Sequence, residues 1–159
     1  MAGSEFIVGV ISDTHGKLRP QAVEALRGSQ YIIHAGDVGA PEILTSLRQI
    51  APVSAVQGNI DVGLGPWADA LPITDVVELA GTSFYVLHVL CALDLKPGVA
   101  GFSAVISGHT HKPEYEFREG VLYFNPGSAG PRRFRLPVSV GRIVVRDGEL
   151  FPEVVILEE

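Results

Sequence analysis

Phe6-Ile7-Val8-Gly9-Val10-Ile11-Ser12-Asp13-Thr14-His15-Gly16 is an apolar run that ends in two metal-ligand side chains and a glycine. The run over 6–12 predicts a buried strand. A helical segment follows over 20–27, with proline in its first turn, and 31–34 predicts a second strand that leads into Gly36-Asp37. Residues 41–50 predict a second helix, and 53–56 a third strand that leads into Gly58-Asn59. This β-α-β-α-β order implies parallel strands with right-handed crossovers. In open sheets of this kind, ligands bind beyond the carboxyl ends of the strands. Here those ends carry Asp13, His15, Asp37 and Asn59.

The rest of the chain changes character. Residues 61–72 are rich in Gly and Pro and read as loop. Strands are expected over 76–79 and 83–88 around Ala80-Gly81, and over 116–118 and 121–124 around Glu119-Gly120. A third pair, 143–146 and 150–156, flanks Asp147-Gly148, and Pro152 marks its second strand as an edge or a bulge. Residues 104–107 form one more strand. A parallel half is thus expected before a mostly antiparallel half. The second half adds His88, His109 and His111, each at or past a strand end.

Alternate residues of an extended chain point to one face, so Asp13 and His15 should project together, as should His109 and His111. The glycines at 16, 36, 58 and 108 permit tight turns beside them. The ligand types are imidazole, carboxylate and carboxamide. With no thiolate among them, they suit Mn, Fe, Ni, Zn or Co rather than Cu(I) or a structural thiolate zinc site. Two such ions about 3.5–4 Å apart would clamp an in-line displacement at phosphorus.

Composition limits the alternatives. A chain of 159 residues predicts one domain, spanning 1–159, in which 1–5 read as disordered or partly derived from cloning. No apolar run reaches the roughly 18 residues of a membrane span, and the start lacks a signal-peptide pattern. One cysteine fits a reducing cytoplasm. A net charge of -6 argues against a general affinity for nucleic acid, but it leaves a small phosphate ester and a homo-oligomer open. Two divalent ions would make the site locally positive despite that charge.

Asp-x-His, Gly-Asp, Gly-Asn, His and Gly-His-x-His in this order resemble the calcineurin-like metallophosphoesterases, and in particular their small prokaryotic phosphodiesterase branch. Ser12-Asp13-Thr14-His15-Gly16, His34-Ala35-Gly36-Asp37, Gly58-Asn59-Ile60-Asp61, Gly108-His109-Thr110-His111 and Asn125-Pro126-Gly127-Ser128 carry the likeness. The resemblance implies an α/β fold of two facing mixed sheets flanked by helices, a four-layer α/β/β/α sandwich. It implies that Asp13, His15 and His111 bind one metal, that Asn59, His88 and His109 bind a second, and that Asp37 bridges them. Manganese is the first expectation for both ions, and a hydroxide shared between them is the implied nucleophile. Asp37, Asn59 and His109 are the implied catalytic residues.

The chain departs from the pattern in two places. Ile60 stands where many relatives have a leaving-group acid, and Val89-Leu90 stand where many have Gly-His. Asp61 either reaches the cavity, where it joins the catalytic set, or caps the following loop. Asn125, Ser128 and Arg132 are candidate substrate contacts, since a turn offers N–H groups and a guanidinium suits phosphate oxygens. His34 and Cys91 read as core residues, and Trp67 and Tyr115 as packing residues. The leading expectation is a binuclear phosphodiesterase. The rivals are a protein-binding scaffold on the same fold, as in the retromer subunit of eukaryotes, and a metal-dependent nuclease.

Overall fold

A computed structural model of the chain describes residues 5–133 and 135–157. Residues 1–4, expected as a disordered or cloning-derived start, lie outside the described residues. Glu5 does not share that expectation, because it already pairs with Arg146 in a sheet.

The first sheet contains β1 (Glu5–Ile11), β2 (Tyr31–His34), β3 (Val53–Ala55), β9 (Ser139–Arg146) and β10 (Glu149–Ile156), in the order β10-β9-β1-β2-β3. β1, β2 and β3 are parallel, as the alternation with helices requires. The connecting helices α1 (Pro20–Leu26) and α2 (Pro41–Arg48) cover the outer face. They bury Ala22, Leu26, Ile43, Leu44 and Leu47 against Ile11, Ile32 and Val140.

The second sheet contains β4 (Thr74–Leu79), β5 (Thr82–Leu87), β6 (Ala104–Ile106), β7 (Pro113–Arg118) and β8 (Val121–Pro126), in the order β4-β5-β6-β8-β7. The two sheets face each other across Val8, Val10, Ile33, Phe84, Val86, Ile106, Leu122, Phe124 and Ile143. Both sheets are mixed, and the sandwich has helices on its outer faces.

Three details differ from the sequence expectation. β5, β6 and β8 are parallel, so the second half is less antiparallel than its hairpins suggest. The β9–β10 hairpin returns to the first sheet and pairs with β1 over six positions, from Glu5↔Arg146 to Val10↔Gly141. Two one-turn helices, α3 (Pro66–Asp69) and α4 (Pro97–Ala100), lie in segments without helical periodicity. Among the described residues, each of the four α-helices starts on proline, whose fixed φ suits a first helical turn. Pro152 sits in β10, the edge strand, where its missing N–H costs no ladder bond.

The outer face of the second sheet has thin cover. Leu90, Leu93, Leu95 and Phe102 pack over Tyr85, Leu87 and Val105, from a segment holding only the 3-10 turn Leu90–Ala92 and α4. Cys91 in that turn is exposed, which corrects its assignment to the core. Its apolar neighbour Leu90 packs inward, while the tight turn points the thiol out. Trp67 does pack with the first sheet's outer core, and Tyr115 stacks on Phe124 with ring centroids 5.9 Å apart.

Candidate metal centre

Asp13 follows β1, Asp37 follows β2, His88 follows β5, and His109 and His111 follow β6. The chain does not stay extended there. Asp13, His15, Asp37, His109 and His111 all have positive φ, between 48° and 74°. The other three described non-glycine residues of this kind, Ala80, Glu119 and Asp147, each precede a glycine in a two-residue hairpin turn, where twist demands that conformation. Five candidate ligands thus hold a backbone that costs about 1–3 kcal/mol each. The expectation that alternation aims them is corrected: left-handed turns do.

The turns are locked to one another. Asp13 N–H donates to Gly36 O (3.0 Å), His15 N–H to Asp37 O (2.9 Å) and Gly16 N–H to Val38 O (2.8 Å), which extends the β1–β2 ladder past its strands. Gly108 N–H donates to His88 O (3.0 Å). A Cβ at Gly58 would overlap Asp37 Oδ1, and one at Gly108 would overlap Ser12 Oγ, so both positions require glycine.

Each aspartate is anchored by one oxygen and presents the other. Asp13 Oδ2 accepts from Ser12 Oγ (2.7 Å) and from His109 N–H (3.0 Å). Asp37 Oδ1 accepts from Ile60 N–H (3.0 Å). The free oxygens meet imidazoles: Asp13 Oδ1 lies 3.4 Å from His111 Nε2 and 3.8 Å from His15 Nε2. Asp37 Oδ2 lies 3.4 Å from His15 Nε2 and 3.3 Å from His88 Nε2. These spacings are long for hydrogen bonds. Asp13 Oδ1, His15 Nε2 and His88 Nε2 are buried atoms without a hydrogen-bond partner in the protein.

That donor set fits divalent cations. Asp13, His15 and His111 offer ligand atoms within 4.8 Å of one another, and so do Asp13, Asp37 and His88. His88 is fixed for the task. Its Nδ1 lies 2.7 Å from Ala35 O, and a carbonyl only accepts, so Nδ1 carries the proton and Nε2 turns its lone pair to the carboxylates.

The electrostatics agree. Burial raises the Asp13 carboxyl, but His111, His15 and Ser12, with His88 nearby, outweigh it and hold it far below the carboxylate range. Asp37 is likewise held low, because His15, His88 and the Ile60 N–H outweigh its burial. Asp13 and Asp37 raise the His15 imidazole to about 9. Burial lowers His88, yet Asp37 and Asp13 overcome it and raise it. The cluster draws in positive charge, which protons supply when metal does not.

Asn59 and His109 stand apart from this cluster. Both are exposed, and His109 Nδ1 lies 3.2 Å from Asn59 Oδ1. The His109 ring packs edge-on to His88, with centroids 5.2 Å apart.

Asp61 takes the loop-capping alternative in its contacts. It is fully buried, and its oxygens accept from Val38 N–H (3.1 Å), Gly39 N–H (2.9 Å) and Gly58 N–H (2.9 Å). One carboxylate thereby ties the Asp37 turn to the Asn59 turn. Asn125 and Ser128 also brace the ligand turns. Asn125 Nδ2 donates to Gly108 O and Thr110 Oγ1, both at 3.1 Å, and its Oδ1 accepts from Gly127 N–H. Ser128 Oγ donates to Asp13 O (3.1 Å). Arg132 is exposed on the loop that follows Gly130.

His34 is a core residue, fully buried and held neutral, as burial lowers it to about 4. It also joins two ligand turns. Gly36 N–H donates to its Nδ1 (3.1 Å), so Nε2 donates to Thr14 Oγ1 (3.0 Å), which donates to Val38 O (2.8 Å). Ser12 and Thr14 were not legible as part of the site. In an extended chain they would face away from Asp13 and His15, and only the left-handed turns bring them in.

The model of the calcineurin-like phosphoesterase superfamily domain matches residues 6–148. A protein of Methanothermobacter thermautotrophicus named "probable metallophosphoesterase" is 38% identical over 159 residues, covering 90% of this chain and 87% of that one. A phosphodiesterase of Methanocaldococcus jannaschii is 27% identical over 138 residues, covering 76% of this chain and 82% of that one. Among solved structures, vacuolar protein sorting 29 of Cryptosporidium parvum superposes with a TM-score of 0.75 at 20% identity, over 98% of this chain and 99% of that one. With the ordered motifs, the sandwich and the converging carboxylates and imidazoles in place, the chain belongs to the calcineurin-like phosphoesterase superfamily.

Proposed function

We propose that this chain is a binuclear metal-dependent phosphodiesterase. Asp13, His15 and His111 hold one ion, Asn59, His88 and His109 hold the other, and Asp37 stands between them. The observation that carries this reading is the set of buried atoms without partners, Asp13 Oδ1, His15 Nε2 and His88 Nε2, turned toward one another. A single-domain protein would gain nothing from such a cluster unless a cation completed it. Two divalent ions would polarise phosphoryl oxygens and acidify a water for attack on phosphorus. Manganese is the first choice, followed by Fe, Ni, Zn and Co.

The protein's own part is positioning. Asp13 and Asp37 stay ionised throughout the neutral range, and His88 keeps its lone pair forward through Ala35 O. His109 and Asn59 stand at the exposed rim, where phosphoryl oxygens arrive. A diester is favoured over a monoester because it carries less charge to neutralise, and the residues after Asn59 and His88 are the apolar Ile60, Val89 and Leu90. The name of the Methanocaldococcus relative supports a diester. A reducing cytoplasm fits the exposed Cys91 thiol.

The name of the Cryptosporidium protein points to sorting rather than hydrolysis, and the fold serves both. A direct test separates the two readings. Chelated protein is reloaded with Mn, Ni, Co, Zn or Mg and assayed on diesters and monoesters, with metal content measured in parallel. We expect two equivalents of metal and diester turnover. Less than one equivalent, or full loading with no hydrolysis of any ester, would overturn the reading.

A further inference from the structure

The thin cover over the second sheet reaches Val121 and Tyr123 of β8, and beside it lies a groove of about 240 Å³ bordered by β7 and β8. Gly108 and Thr110, the residues on either side of His109, line it, together with Leu90, Ser107 and Asn125. Glu116, Arg118 and Tyr123 of β7 and β8 line it as well. The groove therefore starts at the turn that presents His109 and runs away from the metal-ligand cluster.

Its chemistry is selective. The Arg118 guanidinium lies over the Tyr123 ring, 4.5 Å from the centroid, and Glu116 pairs with it. A planar cation backed by an aromatic ring is a stacking surface. The carboxylates of Glu114 and Glu116, paired with Lys112 and Arg118, can still accept from ligand N–H groups, and Thr110 and Ser107 add hydroxyls at the end nearest His109. Leu90 supplies apolar contact. The volume suits one ring system with its sugar.

We infer that this groove receives the organic group of the phosphodiester, and that this group is a single nucleoside. The inference rests on the phosphodiesterase reading and names its substrate class: a nucleoside ester whose phosphate lies over the carboxylate–imidazole cluster and whose base stacks on Arg118. The chain's net charge of -6 disfavours an oligonucleotide.

The test uses three diesters that share a p-nitrophenyl leaving group and differ in the second ester: methyl, phenyl and thymidine-5′. With manganese-loaded protein, the KM of the thymidine ester should lie about 5- to 150-fold below that of the methyl ester, the range that stacking one base is worth. Arg118→Ala changes an exposed side chain and should raise the thymidine KM to the methyl value with kcat unchanged. Tyr123→Ala should do the same. Thymidine alone, titrated into metal-free protein, should shift the backbone amide resonances of Ser107, Thr110 and Tyr123 in a saturable way that Arg118→Ala abolishes.

Equal KM values for all three esters, or thymidine shifts confined to other residues, would overturn the inference. A phenyl ester as good as the thymidine ester would overturn the nucleoside assignment. Saturable thymidine shifts in a protein that hydrolyses no ester would uphold the groove and sink the phosphodiesterase reading, so the two failures are distinguishable.

Discussion

Asp13 has no exposed surface and His111 is 3% exposed, whereas Asn59 and His109, on the other side of Asp37, face solvent and hydrogen-bond each other. The covered half is built in advance. Its ligand atoms already converge within 4.8 Å, and its aspartate is fixed by Ser12 and by the His109 N–H. In the open half only Asp37 and His88 converge with Asp13. Asn59 and His109 must be drawn in to complete that half, and ordering exposed side chains spends part of the binding energy. Under the proposed binuclear reading, the difference teaches that the two ions should not be equivalent: the covered site should bind first and tightly, the open site later and exchangeably. An exchangeable ion beside the exposed rim is also the one a substrate can meet.

The comparison breaks most severely at the shared carboxylate. Asp37→Ala removes the oxygen that faces both His15 and His88. Turnover at saturating metal should fall by more than about 10³-fold, beyond the usual loss of one electrostatic stabiliser. Calorimetric metal titration should show both steps altered. Activity within tenfold of the parent would show that Asp37 does not link the halves.

Substitutions confined to one half sharpen the difference. His111→Ala should remove the tight step, and His109→Ala should keep it and weaken the second. Affinity losses should exceed the roughly 10–100-fold that follows loss of a ligand's supporting partner. Isothermal titration of the chelated variants with manganese reads both steps. If His109→Ala weakens the first step instead, the order of filling is reversed.

Asp61→Asn tests the support below. The amide keeps one good acceptor oxygen where three N–H groups converge, so the turns carrying Asp37 and Asn59 loosen together. Metal affinity or activity should fall about 10–100-fold. Unchanged metal binding in a well-folded variant would return Asp61 to the role of a plain loop cap.

Stability against pH follows from the same groups. The His15 imidazole is raised from 6.5 to about 9 in the metal-free fold, so its contribution is full below 6.5 and is lost as pH rises through about 9. His34 is lowered from 6.5 to about 4, so its neutral burial costs stability as pH falls through that window. Asp13 and Asp37 lie below the ordinary carboxylate value, so their contribution is present above about 4 and lost in stronger acid. Metal-free protein should therefore have its highest Tm near pH 6.5. Manganese displaces the His15 proton, so loading should release protons at neutral pH, and the alkaline decline should flatten. Thermal melts from pH 4 to 10, with and without manganese, check both limbs.

How much of this was legible in the sequence depended on whether local pattern or tertiary contact decides. The first three strands, α1 and α2 were legible because apolar runs alternate with proline-initiated helices. The return of β9–β10 to β1 was not, since a hairpin carries no mark of the sheet it joins. The converging ligands were legible by type and order, but their supports were not. Asp61, Asn125 and Ser128 carry groups that suit substrate equally well, and the N–H and carbonyl partners they take in the fold leave no mark in the sequence. Cys91 misled because an apolar neighbourhood says nothing about which way a 3-10 turn points.

The smallest effect concerns the leaving group. Ile60 donates its backbone N–H to Asp37 and is half-buried, so its side chain borders the open half without a proton to give. Val89 and Leu90 offer none. Asp61, the acid nearest in sequence, spends its oxygens on three N–H groups. Departing alkoxides must then leave with little protonation, and rates should fall steeply as leaving-group pKa rises. General acid catalysis is typically worth about 10²–10⁴-fold. Ile60→His places an imidazole beside Asp37, with no scaffold evolved to aim it, so the gain should fall short of that range, at about tenfold or less on alkyl esters. Aryl esters, which need no acid, should be unaffected. A series of diesters with graded leaving-group pKa, run on parent and Ile60→His, gives two slopes to compare. A flat parent slope would mean that a donor already acts there, and His109 at the rim would be the first residue to replace.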